Sequence, residues 1–281
     1  MEDFEALRPY LFSIAYRMLG SAGDAEDVVQ EAYLRRQRAP AGIDSPKAWL
    51  ATVVTRLCID QLKSARVKRE NYVGPWLPEP IATEGSPGPE ESAEQADSLS
   101  LAFLVVLESL SPVERAVFLL REVFEYDYDE IAEIVGKGDQ NCRQIAHRAK
   151  QHIAGRRPRF EVTREQQEEM TYRFLAACGA GEIDDLMSLL TEDVVLQSDG
   201  GGRVAAARKP IFGPSLVARF LLGVIAKSPR DLVTRIVNVN GQPAIGLYDG
   251  DRPTSIVTLD VTGDRIQGVH IVVNPEKLTR V

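Results

Sequence analysis

The sequence predicts a multidomain protein in which two all-α helical domains precede an α+β domain. Apolar residues recur at helical spacing through about the first 155 residues, and an acidic, proline-rich segment divides these helices into two groups. After Arg159 the pattern changes to a few helices followed by short apolar stretches separated by turn dipeptides. A chain of 281 residues is long enough to bury a core in each folded segment. We therefore expect four segments, at residues 1–72, 73–100, 101–158 and 160–281.

Charge is unevenly distributed along the chain, whose formal net charge is -8. One basic cluster extends from Arg35 to Tyr72, and a second extends from Lys137 to Arg159. Residues 73–100, which lie between them, contain neither Lys nor Arg. Two basic clusters separated by an acidic connector indicate two separate contacts with one polyanion.

The three cysteines are widely spaced and match neither a zinc site nor a redox motif. We expect Cys58, Cys142 and Cys178 to be small buried side chains in a reducing compartment. The acidic N-terminus lacks the pattern of a secretory signal, and no apolar run is long enough to span a membrane. These features predict a cytoplasmic protein with no metal, no cofactor and no membrane contact.

The first domain is predicted to consist of helices with an acidic edge and a basic end. The first helix ends at Gly20, and Ser21 begins the next as a capping-box variant. The acidic edge of that second helix, typical of a solvated face, carries Asp24, Asp27, Gln30 and Glu31. A third helix begins at Ser45 and Pro46, an N-cap followed by a first-turn proline. Its last turns hold more cations than the helix dipole needs, which favours a phosphate track that includes Lys63, Arg66, Lys68 and Arg69.

The connector from Asn71 to Ser98 is rich in proline and has little periodic apolar pattern, so it is predicted to be a linker. Trp76 and Leu77 are unusual in a solvated tether. We expect the segment WLPEP, residues 76–80, to dock on another part of this chain. Packing of Trp76 on the first domain is the simpler alternative.

The stretch YDEIAEIVGKGDQNCRQIAHRAKQHI, residues 128–153, predicts two short helices that meet at Gly136. The buried face of the second helix leaves a polar face turned outward, consisting of Gln140, Asn141, Arg143, Gln144, His147, Arg148, Lys150 and Gln151. Arg and Gln suit base edges, while Lys150 and the nearby Arg156, Arg157 and Arg159 suit phosphates. The pattern is that of a helix-turn-helix that inserts its second helix into a DNA major groove. An ordinary amphipathic helical hairpin is the alternative at this point.

The C-terminal segment is predicted to combine helices with an antiparallel meander. The predicted helices are 161–177, 183–190 and 215–227, and the predicted strands are 232–239, 244–248, 254–261 and 265–273. If Gly263 and Asp264 form a two-residue hairpin turn, Asp260 opposes Gln267 and Val257 opposes His270. Asp260 and His270 would then lie on opposite faces of the sheet and form no catalytic dyad. We therefore predict that the chain is not an enzyme.

The order of four blocks resembles the extracytoplasmic-function sigma factors of bacterial RNA polymerase. The blocks are DAEDVVQEAYLR, SPKAWLATVVTRLCIDQLKSARVKRE, LSPVERAVFLLREVF and residues 128–153. The resemblance implies that Asp24, Asp27, Gln30 and Glu31 dock on the core polymerase. It implies that the loop 37–44 and the helix face with Arg56, Lys63, Arg66, Lys68 and Arg69 melt and hold the -10 element of the promoter. It also implies that the helix from Asp139 reads the -35 element.

The C-terminal segment resembles the SnoaL-like branch of the NTF2-like cone fold. Together with WLPEP in the linker, DGGG at 199–202 and NPEKL at 274–278, it resembles the SigJ-type subgroup of sigma factors. This resemblance implies that the appended domain regulates the sigma factor from within the same chain. The residues expected to act in this regulation are Trp76, Leu77, Pro78, Asp199, Gly200, Gly201, Gly202, Asn274, Pro275 and Lys277. Binding of an unknown small ligand in the cone stays open.

Two other interpretations stay open from the residues. One is a helix-turn-helix repressor with a ligand-sensing cone, which would bind duplex DNA without polymerase. The other is a SnoaL-like enzyme with a DNA-binding appendage. The acidic edge at Asp24 favours the sigma factor, because a repressor needs no surface for docking on polymerase.

Overall fold

The computed structural model describes residues 2–39, 42–70, 72–83, 98–154, 162–229 and 231–281. The chain divides into two compact units. The helical unit comprises residues 1–71 and 104–157, and the C-terminal unit comprises residues 72–103 and 158–281. Both predicted helical domains therefore belong to one compact unit, and the predicted linker groups with the α+β domain.

The helical unit is built from helices whose ends follow the capping signals in the sequence. Its helices are α1 (Glu2–Leu19), α2 (Ala22–Arg38), α3 (Pro46–Glu70), α4 (Leu101–Leu107, which carries the boundary between the units), α5 (Pro112–Glu122), α6 (Tyr128–Val135) and α7 (Asp139–Ala154). Ser21 accepts a hydrogen bond from the Asp24 amide, and Ser111 forms a capping box with Glu114. Gly136 ends α6 with φ of 67°, a left-handed conformation that costs glycine little.

The two groups of helices in this unit are joined through buried polar contacts. The guanidinium of Arg115 on α5 is buried and donates to the Met18 carbonyl of α1 over 2.7 Å and to Glu108 over 2.8 Å. Burial lowers the pKa of Arg115 to about 9. The hydroxyls of Tyr10 and Tyr126 lie 2.7 Å apart. These side chains do not follow an apolar periodicity, which is why the sequence does not reveal that the two groups pack together.

The C-terminal unit is an α+β domain with one six-stranded sheet. Its elements are α8 (Arg164–Ala180), α9 (Ile183–Ser188), β1 (Leu190–Asp199), β2 (Ile211–Phe212), α10 (Pro214–Ile225), β3 (Val233–Val239), β4 (Gln242–Asp249), β5 (Arg252–Thr262), β6 (Arg265–Val272) and a 3-10 turn (Pro275–Lys277). The strand order is β2-β1-β6-β5-β4-β3. The predicted meander β3 to β6 is antiparallel, whereas β1 pairs with β6 in parallel. The sequence pattern predicts neither β1 nor β2.

One face of this sheet forms the hydrophobic core with the helices. Leu196, Ile245, Leu259 and Val269 occupy that face, and helix residues such as Phe174 belong to the same buried cluster. Residues paired across neighbouring strands share a face, and faces alternate along each strand. Asp260 and His270 each lie one position from a core residue, so they occupy the face that points away from this helix-covered core.

A β-bulge corrects the prediction that Asp260 and His270 lie on opposite faces. Beyond the turn, Val261 pairs with Ile266, but Asp260 pairs with Gly268 and Thr258 pairs with His270. The extra residue in β6 shifts the register by one, and a shift of one moves each side chain to the other face. Asp260 and His270 therefore share a face. Gly268 lies between them, and a Cβ there would be 3.0 Å from the Asp260 Cβ and 3.3 Å from His270 Nε2.

Within the part of the chain that the structure describes, no helix is both long and apolar enough to cross a membrane. Among the same residues, no group of three or more His, Cys, Asp or Glu side chains is arranged to hold a metal ion.

Candidate functional site

The connector is attached to the C-terminal unit by the buried carboxylate of Asp199, at the end of β1. One oxygen accepts from the Tyr72 hydroxyl over 2.7 Å and from the Gly201 amide over 3.0 Å. The other accepts from the Leu77 amide and from Lys277 Nζ, both over 2.8 Å. Asp199 is 0% exposed, so four donors within the unit compensate for the loss of water around its charge. We call this cluster the linker latch and define it as Tyr72, Trp76, Leu77, Asp199, Asn274 and Lys277.

Lys277 is held in the linker latch by aromatic rings as well as by charge. Its Nζ lies 4.1 Å from the centroid of the Trp76 ring and 5.2 Å from that of Tyr72. The same nitrogen donates to the Leu77 carbonyl. The side chain is 12% exposed, where ion pairs and cation–π contacts are stronger than at the surface. WLPEP and NPEKL therefore meet through the Trp76 ring and the Lys277 ammonium.

Gly201 of DGGG permits close approach of the NPEKL segment. The Asp199 carbonyl accepts from the amides of Val273 and Asn274, and the Asn274 side chain donates to the Tyr72 hydroxyl over 3.0 Å. Gly201 has φ of 58°. A Cβ on Gly201 would lie 2.3 Å from Asn274 Nδ2, so no larger residue fits without movement. Burial, and then the hydrogen bond with the Asp199 carboxylate, raise the pKa of Tyr72 well above its usual value.

Asn240 anchors a second part of the connector. Its side chain accepts from the Ile81 amide over 3.1 Å and donates to the Leu99 carbonyl over 3.0 Å, while its own amide donates to the Ile81 carbonyl over 2.9 Å. Asn240 has φ of 55°, a conformation that Asn tolerates better than most residues. The sequence pattern identifies Asn240 only as part of a turn signal, and it predicts neither this anchor nor the contacts of Tyr72. An Asn-Gly dipeptide indicates a turn but not what its side chain binds.

Helix α7 exposes the polar residues predicted to bind DNA. The exposed residues are Gln140, Asn141, Arg143, Gln144, His147, Arg148 and Lys150, and the buried ones include Cys142, Ile145, Ala146, Ala149 and Ile153. Lys150 pairs with Glu122 of α5, and Arg143 pairs with Asp139 over 3.2 Å. The buried face that the spacing predicts is confirmed. Arg156, Arg157 and Arg159 lie outside the described residues.

The acidic edge of α2 is exposed in the helical unit. Asp24, Asp27 and Gln30 are exposed, and Glu31 is half-buried with its carboxylate 2.8 Å from Arg35 Nε. The edge therefore remains available to a partner.

Arg56, one of the predicted -10 contacts, binds the helix-turn-helix itself. Its guanidinium donates to the Glu133 carbonyl over 2.7 Å and to the Ile134 carbonyl over 2.9 Å. These carbonyls lie in the last turn of α6, which has no following turn to satisfy them and carries the negative end of the helix dipole. Lys63 pairs with Asp60 over 2.9 Å and remains exposed. The side chains of Arg66, Lys68 and Arg69, and part of the loop 37–44, lie outside the described residues.

The family models and the relatives that match this chain indicate the same family. The model of Sigma-70 region 2 matches residues 4–67, and that of Sigma-70 region 4 matches residues 100–153. The chain is 35% identical to the ECF RNA polymerase sigma factor SigJ of Mycobacterium tuberculosis over 292 residues, covering 99% of this chain and 93% of that protein. It is 34% identical to the probable ECF RNA polymerase sigma factor SigI of the same species, covering 98% of this chain and 93% of that protein.

A solved structure extends the match to the whole fold. The crystal structure of the M. tuberculosis extracytoplasmic function sigma factor SigJ matches with a TM-score of 0.79 and 33% identity, covering 99% of this chain and 98% of that one. The match includes the α+β domain, which confirms the predicted fold class. The repressor and the DNA-binding enzyme are not favoured, because relatives that match along nearly the whole chain are sigma factors. The chain belongs to the extracytoplasmic-function sigma factors of RNA polymerase.

Proposed function

We propose that the C-terminal unit regulates this sigma factor by holding the connector in the linker latch. A sigma factor binds the core polymerase and promoter DNA, and the connector joins its two DNA-binding segments. The observation that carries the proposal is the burial of Asp199 with donors from both the connector and NPEKL. A connector attached in this way has fewer separations available to its ends.

The size of this constraint follows from the length of the connector. A free chain of the 32 residues from Tyr72 to Phe103 would have a root-mean-square end-to-end distance of roughly 30 Å, with wide variation. Attachment at Leu77, at Ile81 and at Leu99 leaves much less free chain. When the two groups of helices separate to bind DNA, the latch therefore limits the promoter spacings that they can reach at once.

Within this proposal, α7 reads the -35 element. Its exposed face combines Arg, Gln and Asn side chains, which form paired hydrogen bonds to guanine and adenine edges in the major groove. Cys142, Ile145 and Ala149 hold the opposite face in the core, which fixes the orientation of the helix. Lys150 and Arg148 lie further along α7 and suit phosphate contacts.

The acidic edge of α2 and the basic face of α3 complete the proposed contacts. The exposed carboxylates of Asp24 and Asp27 dock on the core polymerase, and Lys63 with the basic end of α3 holds the -10 element. Arg56 belongs to the same basic face, although two of its five N–H donors already bond the carbonyls of α6.

The same geometry supports a regulatory rather than a catalytic role for the C-terminal unit. Asp199 is saturated by four donors, which leaves it no free oxygen to accept a proton from a substrate. Asp260 and His270 lie on the face opposite the helix-covered core. Acid or base chemistry inside a cone would need such groups on the helix-covered face.

Run-off transcription with core polymerase on promoters of different spacer length tests the proposal. The probe is a series of templates in which the -35 to -10 spacing changes by one base pair at a time. Lys277→Met removes the latch cation but keeps an apolar stem, and we expect it to flatten the dependence of transcript yield on spacing. Arg203→Met is the matched control, because Arg203 is 65% exposed and pairs with the surface carboxylate of Glu276. An unchanged spacing profile for Lys277→Met would refute the regulatory role of the latch.

The acidic edge is tested separately. Asp27→Lys should abolish pull-down of core polymerase, whereas Asp129→Lys, an equal charge change at an exposed position of α6, should not. Equal retention of polymerase by both variants would contradict the docking role.

A further inference from the structure

The helix-turn-helix contains an aromatic contact that prepares one arginine for base reading. Tyr128 is the first residue of α6, and Arg143 lies in the second turn of α7. The guanidinium carbon of Arg143 is 4.4 Å from the centroid of the Tyr128 ring. The ring therefore links the two helices of the motif at the exposed N-terminal part of α7.

A second contact fixes the inner end of the same guanidinium. Arg143 Nε donates to the Asp139 carboxylate over 3.2 Å, one helical turn earlier. Within the part of the chain that the structure describes, no hydrogen bond involves its two terminal nitrogens, and the side chain is 59% exposed. The ring and the carboxylate thus hold the plane of the guanidinium while the terminal pair of N–H donors remains free.

This arrangement suits a guanine edge better than a phosphate. Guanine presents two acceptors, O6 and N7, in the major groove, and the paired donors of Arg match them. The neighbouring Asp139 carboxylate offsets the positive charge of Arg143, which weakens attraction to phosphate. Arg148 differs from Arg143, since its Nε donates to the backbone carbonyl of Gln144, at 3.4 Å, and not to a carboxylate.

Pre-ordering increases affinity because a free arginine loses rotamer entropy when it binds. Part of that loss has already occurred when the ring and the carboxylate hold the side chain of Arg143. A second guanidinium, that of Arg121, lies 5.0 Å from the same ring. Arg121 donates to the Tyr126 carbonyl over 2.9 Å, so it stays on α5 and the loop that follows.

We propose that Tyr128 is a positioning residue that orients Arg143 to read a guanine in the -35 element. This inference rests on the proposed reading of DNA by α7. Tyr128 itself needs no contact with the base, because its ring acts through the guanidinium.

The test is selection of DNA by the full chain bound to core polymerase. The probe is a duplex library with ten randomised base pairs upstream of a fixed -10 element, sequenced before and after selection. We expect the native chain to select guanine at one position and Arg143→Ala to lose that preference. Tyr128→Leu should reduce the preference for guanine at this position about two- to fivefold, the equivalent of an exposed cation–π contact. Preferences at the other positions should not change.

Two variants distinguish positioning from general damage to the fold. Tyr128→Phe keeps the ring and should retain the guanine preference, and Tyr128→Leu combined with Arg143→Ala should behave like Arg143→Ala alone. The inference is overturned if Tyr128→Leu keeps the preference, or if it weakens all positions equally while Tyr128→Phe does the same. If Arg143→Ala leaves every preference intact, the proposed reading of DNA through Arg143 is wrong as well. This outcome distinguishes failure of the DNA reading from failure of the positioning role of Tyr128 alone.

Discussion

Replacement of Asp199 by Asn removes the charge of the linker latch while keeping its shape. Each carboxylate oxygen of Asp199 accepts from two donors. An amide has only one oxygen, so its NH2 group must face either the pair Tyr72 and Gly201 or the pair Leu77 and Lys277. In both orientations a donor meets a donor. Asp199→Asn therefore leaves the Lys277 ammonium, which is 12% exposed, without a carboxylate.

The expected free-energy cost follows from the burial of the ion pair between Asp199 and Lys277. Breaking a buried ion pair costs about 3–5 kcal/mol, since the remaining charge is left without compensation. Since about 1.4 kcal/mol corresponds to a factor of ten, the equilibrium constant for opening of the latch should rise by roughly a hundred- to a few thousandfold. A cost of this size is expected to release the connector locally before the C-terminal unit unfolds as a whole.

Hydrogen exchange at the Leu77 amide is the direct measurement, because this amide donates to Asp199. We expect its protection to fall by at least about a hundredfold in Asp199→Asn. Glu276→Gln is the control, because it removes a surface pair next to the latch whose side chains are 63–65% exposed. Protection of Leu77 that stays within about threefold of the native value in Asp199→Asn would refute the reasoning, because this difference is under 1 kcal/mol.

Three further predictions follow from individual contacts. Gly201→Ala should destabilise the C-terminal unit by about 1–3 kcal/mol more than Gly250→Ala in urea unfolding, since both glycines have φ near 60° but only Gly201 would place a Cβ against a neighbour; equal losses would contradict this. Burial lowers the pKa of His270 to about 4, so the unfolded chain binds the extra proton between pH 6.5 and 4 and stability falls as pH decreases through this window. His270→Phe should lack this loss of unfolding free energy, which amounts to up to about 3 kcal/mol. If the unfolding free energies of the native and variant proteins change with pH in parallel, His270 is not the cause. Arg56→Lys keeps the charge but cannot bind two carbonyls as a fork. We expect it to lower the unfolding free energy of the helical unit by about 1 kcal/mol relative to Arg8→Lys, a control at an exposed position of α1.

Local signals in the sequence predict most of the helix ends and the later strands. Ser111 with Glu114 and Gly136 each act within one turn of chain, and the structure has the caps at those residues. The turn dipeptides likewise separate β3 to β6. The sequence also indicates that WLPEP docks within the chain, and the structure places Leu77 against Asp199. Such features are set by neighbours in sequence or by residues of unusual chemistry.

The features that the sequence does not reveal depend on long-range pairing. β1 pairs in parallel with β6, about 75 residues further along, and its burial comes from that partner. The bulge in β6 is set by how β5 and β6 fit together, and a hairpin register counted from Gly263 cannot include it. The one extra residue in β6 places the His270 side chain on the same face of the sheet as Asp260. The anchors Tyr72 and Asn240 are missed for a related reason, because a polar side chain in a linker or turn does not reveal a distant partner.

The chemistry of the linker latch bears on how it regulates. An apolar connector segment could dock in several registers, whereas the Asp199 carboxylate accepts hydrogen bonds from two particular atoms of the connector, the Tyr72 hydroxyl and the Leu77 amide. Buried ion pairs provide such specificity with little net stability, because desolvation offsets most of their attraction. The linker latch therefore fixes one position of the connector without making its release prohibitively costly. This account requires the latch to depend on the charge of Asp199. An unchanged exchange rate of the Leu77 amide in Asp199→Asn would show that it does not.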